Sequence, residues 1–103
     1  MTRYARRTDA NLTEIVKAYR QLGCRVRVNN DDTCDCIVQF GGVTDLVECK
    51  DGSKPPSARK LTANQEKVHD QLMIRIVLGL DSVAEHVAAL RRKSMILVRE
   101  SWA

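Results

Sequence analysis

From Asn11 to Leu22 the apolar positions Leu12, Ile15, Val16, Tyr19 and Leu22 recur at helical spacing, and Gly23 follows as a C-terminal stop. Asn11 followed by Glu14 fits a capping pair at the start of this helix, which gives Glu14 a structural role beside any chemical one. Cys24, Val26 and Val28 then alternate with Arg25 and Arg27, the period of a half-buried strand, and Asn29-Asn30-Asp31-Asp32 supplies the polar turn after it. Cys34 to Phe40 and Val43 to Lys50 are β-rich runs on either side of Gly41-Gly42, which predicts a hairpin closed by a two-residue glycine turn.

Residues 51–61, with Gly52, Pro55 and Pro56, read as an exposed loop. Thr62 with Gln65 marks a second helix start, with Val68 and Leu72 on its inward face and an end near Met73. Ile74, Ile76 and Leu78 lie in a nearly continuous apolar run, as expected of a central strand covered on both faces. Asp81 caps a third helix running to about Arg92, with Val83, Val87 and Leu90 on its buried side, and Met95 to Val98 adds an edge strand. The order is helix, three strands, helix, strand, helix, an α/β pattern, and 103 residues fit one domain.

The hairpin brings chemistry together. With Gly41 and Gly42 as turn residues, Phe40 pairs with Val43, and each step back along one strand matches a step forward along the other, so Asp35 falls opposite Glu48. Lys50 projects from the same face, and directly opposed side chains have β-carbons roughly 5 Å apart. Two opposed carboxylates repel unless a cation or a shared proton relieves them. Hard oxygen ligands with open water positions suit Mg²⁺ or Mn²⁺, which polarises a phosphate and activates water, while Lys50 orients that water or offsets growing charge. The competing reading is a surface salt-bridge cluster. Ile37 and Leu46 share this face, so the charges stand at the end of a largely apolar surface. The opposite face collects Cys34, Cys36, Val38, Phe40, Val43, Val47 and Cys49, a core surface interrupted by Asp45. Asp45 belongs to the site if the register slips by one, and otherwise lies where that face reaches solvent near the turn.

A hydrophobic content of 44% and a charged content of 29% describe an ordinary globular balance. The apolar runs are too short to span a bilayer, and Met1-Thr2-Arg3-Tyr4 lacks a secretory apolar stretch, so a cytosolic location is expected. Seventeen Lys and Arg against thirteen Asp and Glu give a charge of +4. Arg3, Arg6 and Arg7 mark residues 1–8 as a basic N-terminal arm; Lys54, Arg59 and Lys60 flank the Pro-containing loop; Arg91, Arg92 and Lys93 close a helix. Such clusters either solubilise the surface or grip a phosphate backbone. The spacing of Cys24, Cys34, Cys36 and Cys49 argues against a disulfide or zinc framework and for reduced core thiols. His69 and His86 have no partner at metal-ligand spacing and take no assigned role. Tyr4, Tyr19, Phe40 and Trp102 are too scattered for a single-strand stacking platform, and Trp102 is a candidate subunit anchor.

Asp35, twelve intervening residues, then Glu48-Cys49-Lys50 resembles the PD-(D/E)xK nuclease signature, and the element order resembles that superfamily's core. The compact length, the glycine hairpin and Gln65 opening the helix after the lysine look most like the stand-alone VRR-NUC domains of phage and bacterial origin. The resemblance spans roughly Thr8 to Arg92, with Cys34 standing where the family's proline is expected. It implies a restriction-endonuclease-like core with a mixed central sheet flanked by helices. It implies metal binding by Asp35, Glu48 and the Cys49 carbonyl, with Lys50 as catalytic lysine, Glu14 as a further acidic ligand and Gln65 near the site. It also implies a homodimeric, structure-specific endonuclease acting on branched DNA such as Holliday junctions, in a bacterial or phage-infected cytosol. The competing expectation is a catalytically silent DNA-binding or assembly module of the same fold; a zinc-stabilised binding protein is a more distant one.

Overall fold

The structure is a computed structural model that describes residues 10–29, 33–53, 55 and 60–102. Its elements run α1 (Ala10–Gln21), β1 (Arg25–Val28), β2 (Cys36–Phe40), β3 (Val43–Cys49), α2 (Ala63–Gln71), β4 (Ile74–Val77) and α3 (Leu80–Trp102), the predicted α/β order. The strands form one mixed sheet, β1-β2-β3-β4, antiparallel across the first three and parallel between β3 and β4. A parallel pair needs a crossover connection, and the segment carrying α2 supplies it.

Local chemistry sets the element ends. After α1, Gly23 at φ +93° lets the Cys24 N–H donate to the Tyr19 carbonyl at 3.0 Å and the Gly23 N–H to the Arg20 carbonyl at 3.1 Å, the bond pair of a Schellman cap. Gly41 and Gly42, at φ +54° and +88°, supply the two positive values that a tight hairpin turn requires. The hairpin register then runs from Phe40↔Val43 to Cys36↔Val47. Thr62 and Gln65 close a capping box on α2: the Gln65 N–H donates to Thr62 Oγ1 at 3.2 Å, and the Thr62 N–H to Gln65 Oε1 at 3.0 Å.

α1 and α3 cover one face of the sheet. Ile15 and Tyr19 from α1 and Val83, Val87 and Leu90 from α3 pack on Cys36, Val38, Val47, Cys49 and Val77. α2 makes only slight contact with the other elements. The other face of β1 and β2 is thus left without a helix among the described residues.

Four sequence expectations are corrected. Met95 to Val98 are not a strand: α3 runs on to Trp102, because neither glycine nor proline interrupts the chain after Arg92 and each added residue gains a helical hydrogen bond. β4 is an edge strand rather than a central one; Ile74 and Val77 are buried but Ile76 is 39% exposed. α3 begins at Leu80, so Asp81 lies in its first turn, where the helix dipole favours an acid, rather than at the cap. Asn11 lies inside α1 and does not cap it; its Nδ2 donates instead to the Lys50 carbonyl at 3.3 Å.

Candidate active site

Asp35 lies just before β2, Glu48 within β3 and Lys50 just after it, at the end of the hairpin far from the glycine turn. Cys36↔Val47 is the last regular pair; one further step in that register would set Asp35 against Glu48, but Asp35 breaks it, its N–H bonding to the Val47 carbonyl. The ladder changes character there. A regular continuation would bond the Cys49 N–H to the Cys34 carbonyl, but Asp35 Oδ2 accepts that proton at 2.7 Å. The Asp35 backbone is pinned from both sides, its N–H donating to the Val47 carbonyl at 3.0 Å and its carbonyl accepting from Asn29 N–H at 2.8 Å. The carboxylate is therefore held against β3, one residue past Glu48.

Glu48 is 6% exposed. Its Oε2 lies 3.2 Å from Lys50 Nζ, and its Oε1 is buried with no hydrogen-bond partner. A buried carboxylate oxygen in that condition is costly, because it has given up water for nothing in return. Lys50 is fixed along its backbone, its N–H donating to the Val77 carbonyl at 3.0 Å and its carbonyl accepting from Asn11. Glu48, Lys50 and Asp35 thus converge on β3, with α1 and β4 bracing the strand end.

The remaining predicted site residues scatter. Glu14 is exposed on α1, and among the described residues no three His, Cys, Asp or Glu side chains gather closely enough to share a metal. Gln65 is buried, but its Oε1 is engaged in capping α2. All four cysteines are buried and free of disulfides. The Cys49 side chain belongs to the core; a hydrogen bond with Cys36, burial and the nearby carboxylates push its thiol well above the ordinary range, leaving only its backbone to serve a site. Burial also raises the Cys24 and Cys34 thiols. Lys60 is exposed, while Arg3, Arg6, Arg7, Lys54 and Arg59 lie outside the described residues.

A second polar cluster was not anticipated. His86, 1% exposed on α3, joins Tyr19 and Asp45: Nδ1 is 2.6 Å from the Tyr19 hydroxyl and Nε2 is 2.7 Å from Asp45 Oδ2. Burial lowers the His86 pKa, opposed by Asp45, and burial raises that of Tyr19. The Tyr19 hydroxyl therefore donates to Nδ1, and the Nε2 proton is donated to Asp45. The sequence held two signals for this contact: Asp45 interrupting an apolar strand face and His86 beside Val83, Val87 and Leu90 on an apolar helix face. Asp45 faces away from Glu48, so it is not part of the carboxylate site. His69 has a local role, its Nδ1 accepting the Ile74 N–H at 2.9 Å after α2 ends.

No family model, curated protein or solved structure matches this chain. Among the described residues, no helix is long and apolar enough to cross a membrane. The functional reading therefore rests on the chemistry of the site itself.

Proposed function

We propose that the chain is a divalent-metal-dependent endodeoxyribonuclease in which Asp35, Glu48 and Lys50 are the working groups. The Glu48 carboxylate carries this reading: it is buried, one oxygen is held by Lys50, the other has no partner, and the Asp35 carboxylate is bonded to the next residue's N–H, that of Cys49. Two carboxylates and one ammonium leave a negative charge that a cation would balance. Mg²⁺ is commonly held by one or two carboxylates, with water and substrate phosphate filling its other positions, so the donor set fits it and, similarly, Mn²⁺. Asp35, Glu48 and the Cys49 carbonyl would hold the ion, which when bound polarises a phosphate and lowers the pKa of water. Lys50 supplies a fixed positive charge beside Glu48, suited to the charge that grows on the phosphate during attack. Asn11, by holding the Lys50 carbonyl, keeps that residue's backbone in place.

On this reading the chain is a PD-(D/E)xK nuclease with a restriction-endonuclease-like core, nearest the stand-alone VRR-NUC type; the element order and mixed sheet support it. The substrate is branched DNA such as a four-way junction, and a homodimer follows from the need for two cuts by a domain with one site. The test is cleavage of branched and linear DNA in Mg²⁺ by the parent and by Lys50→Ala. Loss in the variant supports the reading, and equal activity overturns it.

One observation favours a catalytically silent DNA-binding module instead: Glu14 is exposed and the Gln65 carboxamide is occupied in a cap, so two assisting groups stand elsewhere. Calorimetric titration separates the two. Salt-dependent DNA binding without Mg²⁺ or Mn²⁺ binding selects the silent module.

A further inference from the structure

We infer that Arg25 and Arg27 form a track for the DNA backbone on the open face of the sheet, leading toward the Asp35 and Glu48 site; the inference rests on the nuclease reading above. The sheet register places them. Arg25 pairs with Gln39 and Arg27 with Ile37, and these in turn pair with Thr44 and Leu46. Directly paired residues share a face, and residues two apart along a strand share it too. Arg25, Arg27, Ile37, Gln39, Thr44, Leu46 and Glu48 therefore all belong to one face, opposite the one that α1 and α3 cover. A 3.0 Å hydrogen bond from Gln39 Nε2 to Thr44 Oγ1 lies across that surface.

The charge on this face is ordered. Arg25 and Arg27 are exposed, and neither guanidinium makes a hydrogen bond or an ion pair among the described residues. Gln39 and Thr44, beside them, are exposed and neutral, and among the described residues no carboxylate interrupts the strands of this face until Glu48. Two strand residues at this spacing stand about 6.7 Å apart. Arg27 lies level with Ile37 and Leu46, and Glu48 is two residues beyond Leu46 along β3. The two cations thus step away from the carboxylates at intervals close to the step between successive phosphates of a nucleic-acid strand. Exposed, unengaged arginines can each take a phosphate in a two-pronged contact, and a flat neutral floor between them and the site lets a strand lie across it. A polyanion, rather than an apolar partner, complements this surface.

The test is binding of a fluorescently labelled DNA duplex and of a labelled four-way junction, followed by anisotropy in EDTA across a salt series, so that no cleavage occurs. The variants are Arg25→Gln/Arg27→Gln, the conservative Arg25→Lys/Arg27→Lys, and Lys17→Gln on the helix side as a control. The glutamine pair is expected to bind roughly tenfold more weakly at low salt and to lower the slope of log affinity against log salt by about 0.9 per lost contact. The lysine pair retains most of both, and Lys17→Gln matches the parent. Equal binding by the glutamine pair and the parent overturns the track while leaving the nuclease reading to the Lys50→Ala cleavage test. A parent that binds neither DNA overturns both.

Discussion

The Asp35 carboxylate accepts a 2.7 Å hydrogen bond from the Cys49 backbone N–H, doing at the end of the hairpin what a strand carbonyl does elsewhere in the ladder. Asp35 thereby has two separable duties, to close the hairpin and to bring negative charge beside Glu48. Asp35→Asn keeps an acceptor oxygen and loses the charge, whereas Asp35→Ala leaves a partly buried N–H unsatisfied. In urea denaturation Asp35→Ala is expected to lose about 1–3 kcal/mol and Asp35→Asn distinctly less. Both should lose Mg²⁺ binding by calorimetry. An alanine variant as stable as the parent would show that this bond does not hold the strand end.

The 3.2 Å contact between Lys50 and Glu48 makes stability depend on metal in a predictable way. Removing the lysine leaves a buried carboxylate without its counter-charge, so Lys50→Ala is expected to be destabilised, by an amount below the ~3–5 kcal/mol of fully buried pairs because the site is partly open. Mg²⁺ at about a hundred times its dissociation constant should stabilise the parent by about 2.7 kcal/mol. The same Mg²⁺ should narrow the gap between Lys50→Ala and the parent. Glu48→Gln should show no Mg²⁺-dependent shift in thermal melting; a shift equal to the parent's would remove Glu48 from the metal site.

The hairpin register depends on Gly41, whose φ of +54° is left-handed and whose absent side chain leaves room for Ser94. Ser94 Oγ uses that room to donate to the Gly41 carbonyl at 2.9 Å. Alanine at this position meets both a conformational cost of about 1–2 kcal/mol and a collision with Ser94. Gly41→Ala is therefore expected to lower the denaturation midpoint, and Gly41→Ala/Ser94→Ala to recover only the part of the collision due to Ser94 Oγ, since Ser94 Cβ would itself lie 2.8 Å from the added methyl, and to remain below Ser94→Ala alone. Full recovery in the double variant would mean that the turn tolerates a side chain and that glycine is not required there.

Much of this architecture is legible in residue spacing, because local chemistry dictates it. Gly23 ends α1, Gly41-Gly42 sets the turn and its register, and Thr62 with Gln65 starts α2, each through bonds made within a few residues. What the sequence misstates depends on distant packing. Ile74, Ile76 and Leu78 look like a strand covered on both faces, yet sheet order makes β4 an edge. Met95 to Val98 have strand-like composition, but they follow a helix already nucleated and packed through Val83, Val87 and Leu90. The placement of Glu48 and Lys50 at the end of β3 is readable because one turn fixes the hairpin, whereas Asp35 leaves the register, its N–H bonding to the Val47 carbonyl. The Asp45 to His86 contact joins residues 41 positions apart, and only their shared oddity on apolar faces hints at it.

That contact also predicts how stability changes with pH. Burial lowers the folded-state pKa of His86, while Asp45 partly offsets the shift. The unfolded chain takes up a proton as pH falls through the ordinary histidine value of about 6.5, before the folded protein does, so it is the state favoured by acid. The histidine's contribution to stability is thus fully present above about pH 6.5 and declines as pH falls below it. Asp45→Asn removes the opposing charge, so its folded state resists protonation further and the acid-side decline should steepen or extend to lower pH. Tyr19→Phe leaves Nδ1 without a donor at a fully buried site and should cost about 1–3 kcal/mol at neutral pH. Urea denaturation between pH 5 and 8 checks all three proteins. A parent whose stability is flat across that range, or an Asp45→Asn variant with a shallower decline, would show that His86 is not held neutral by its burial.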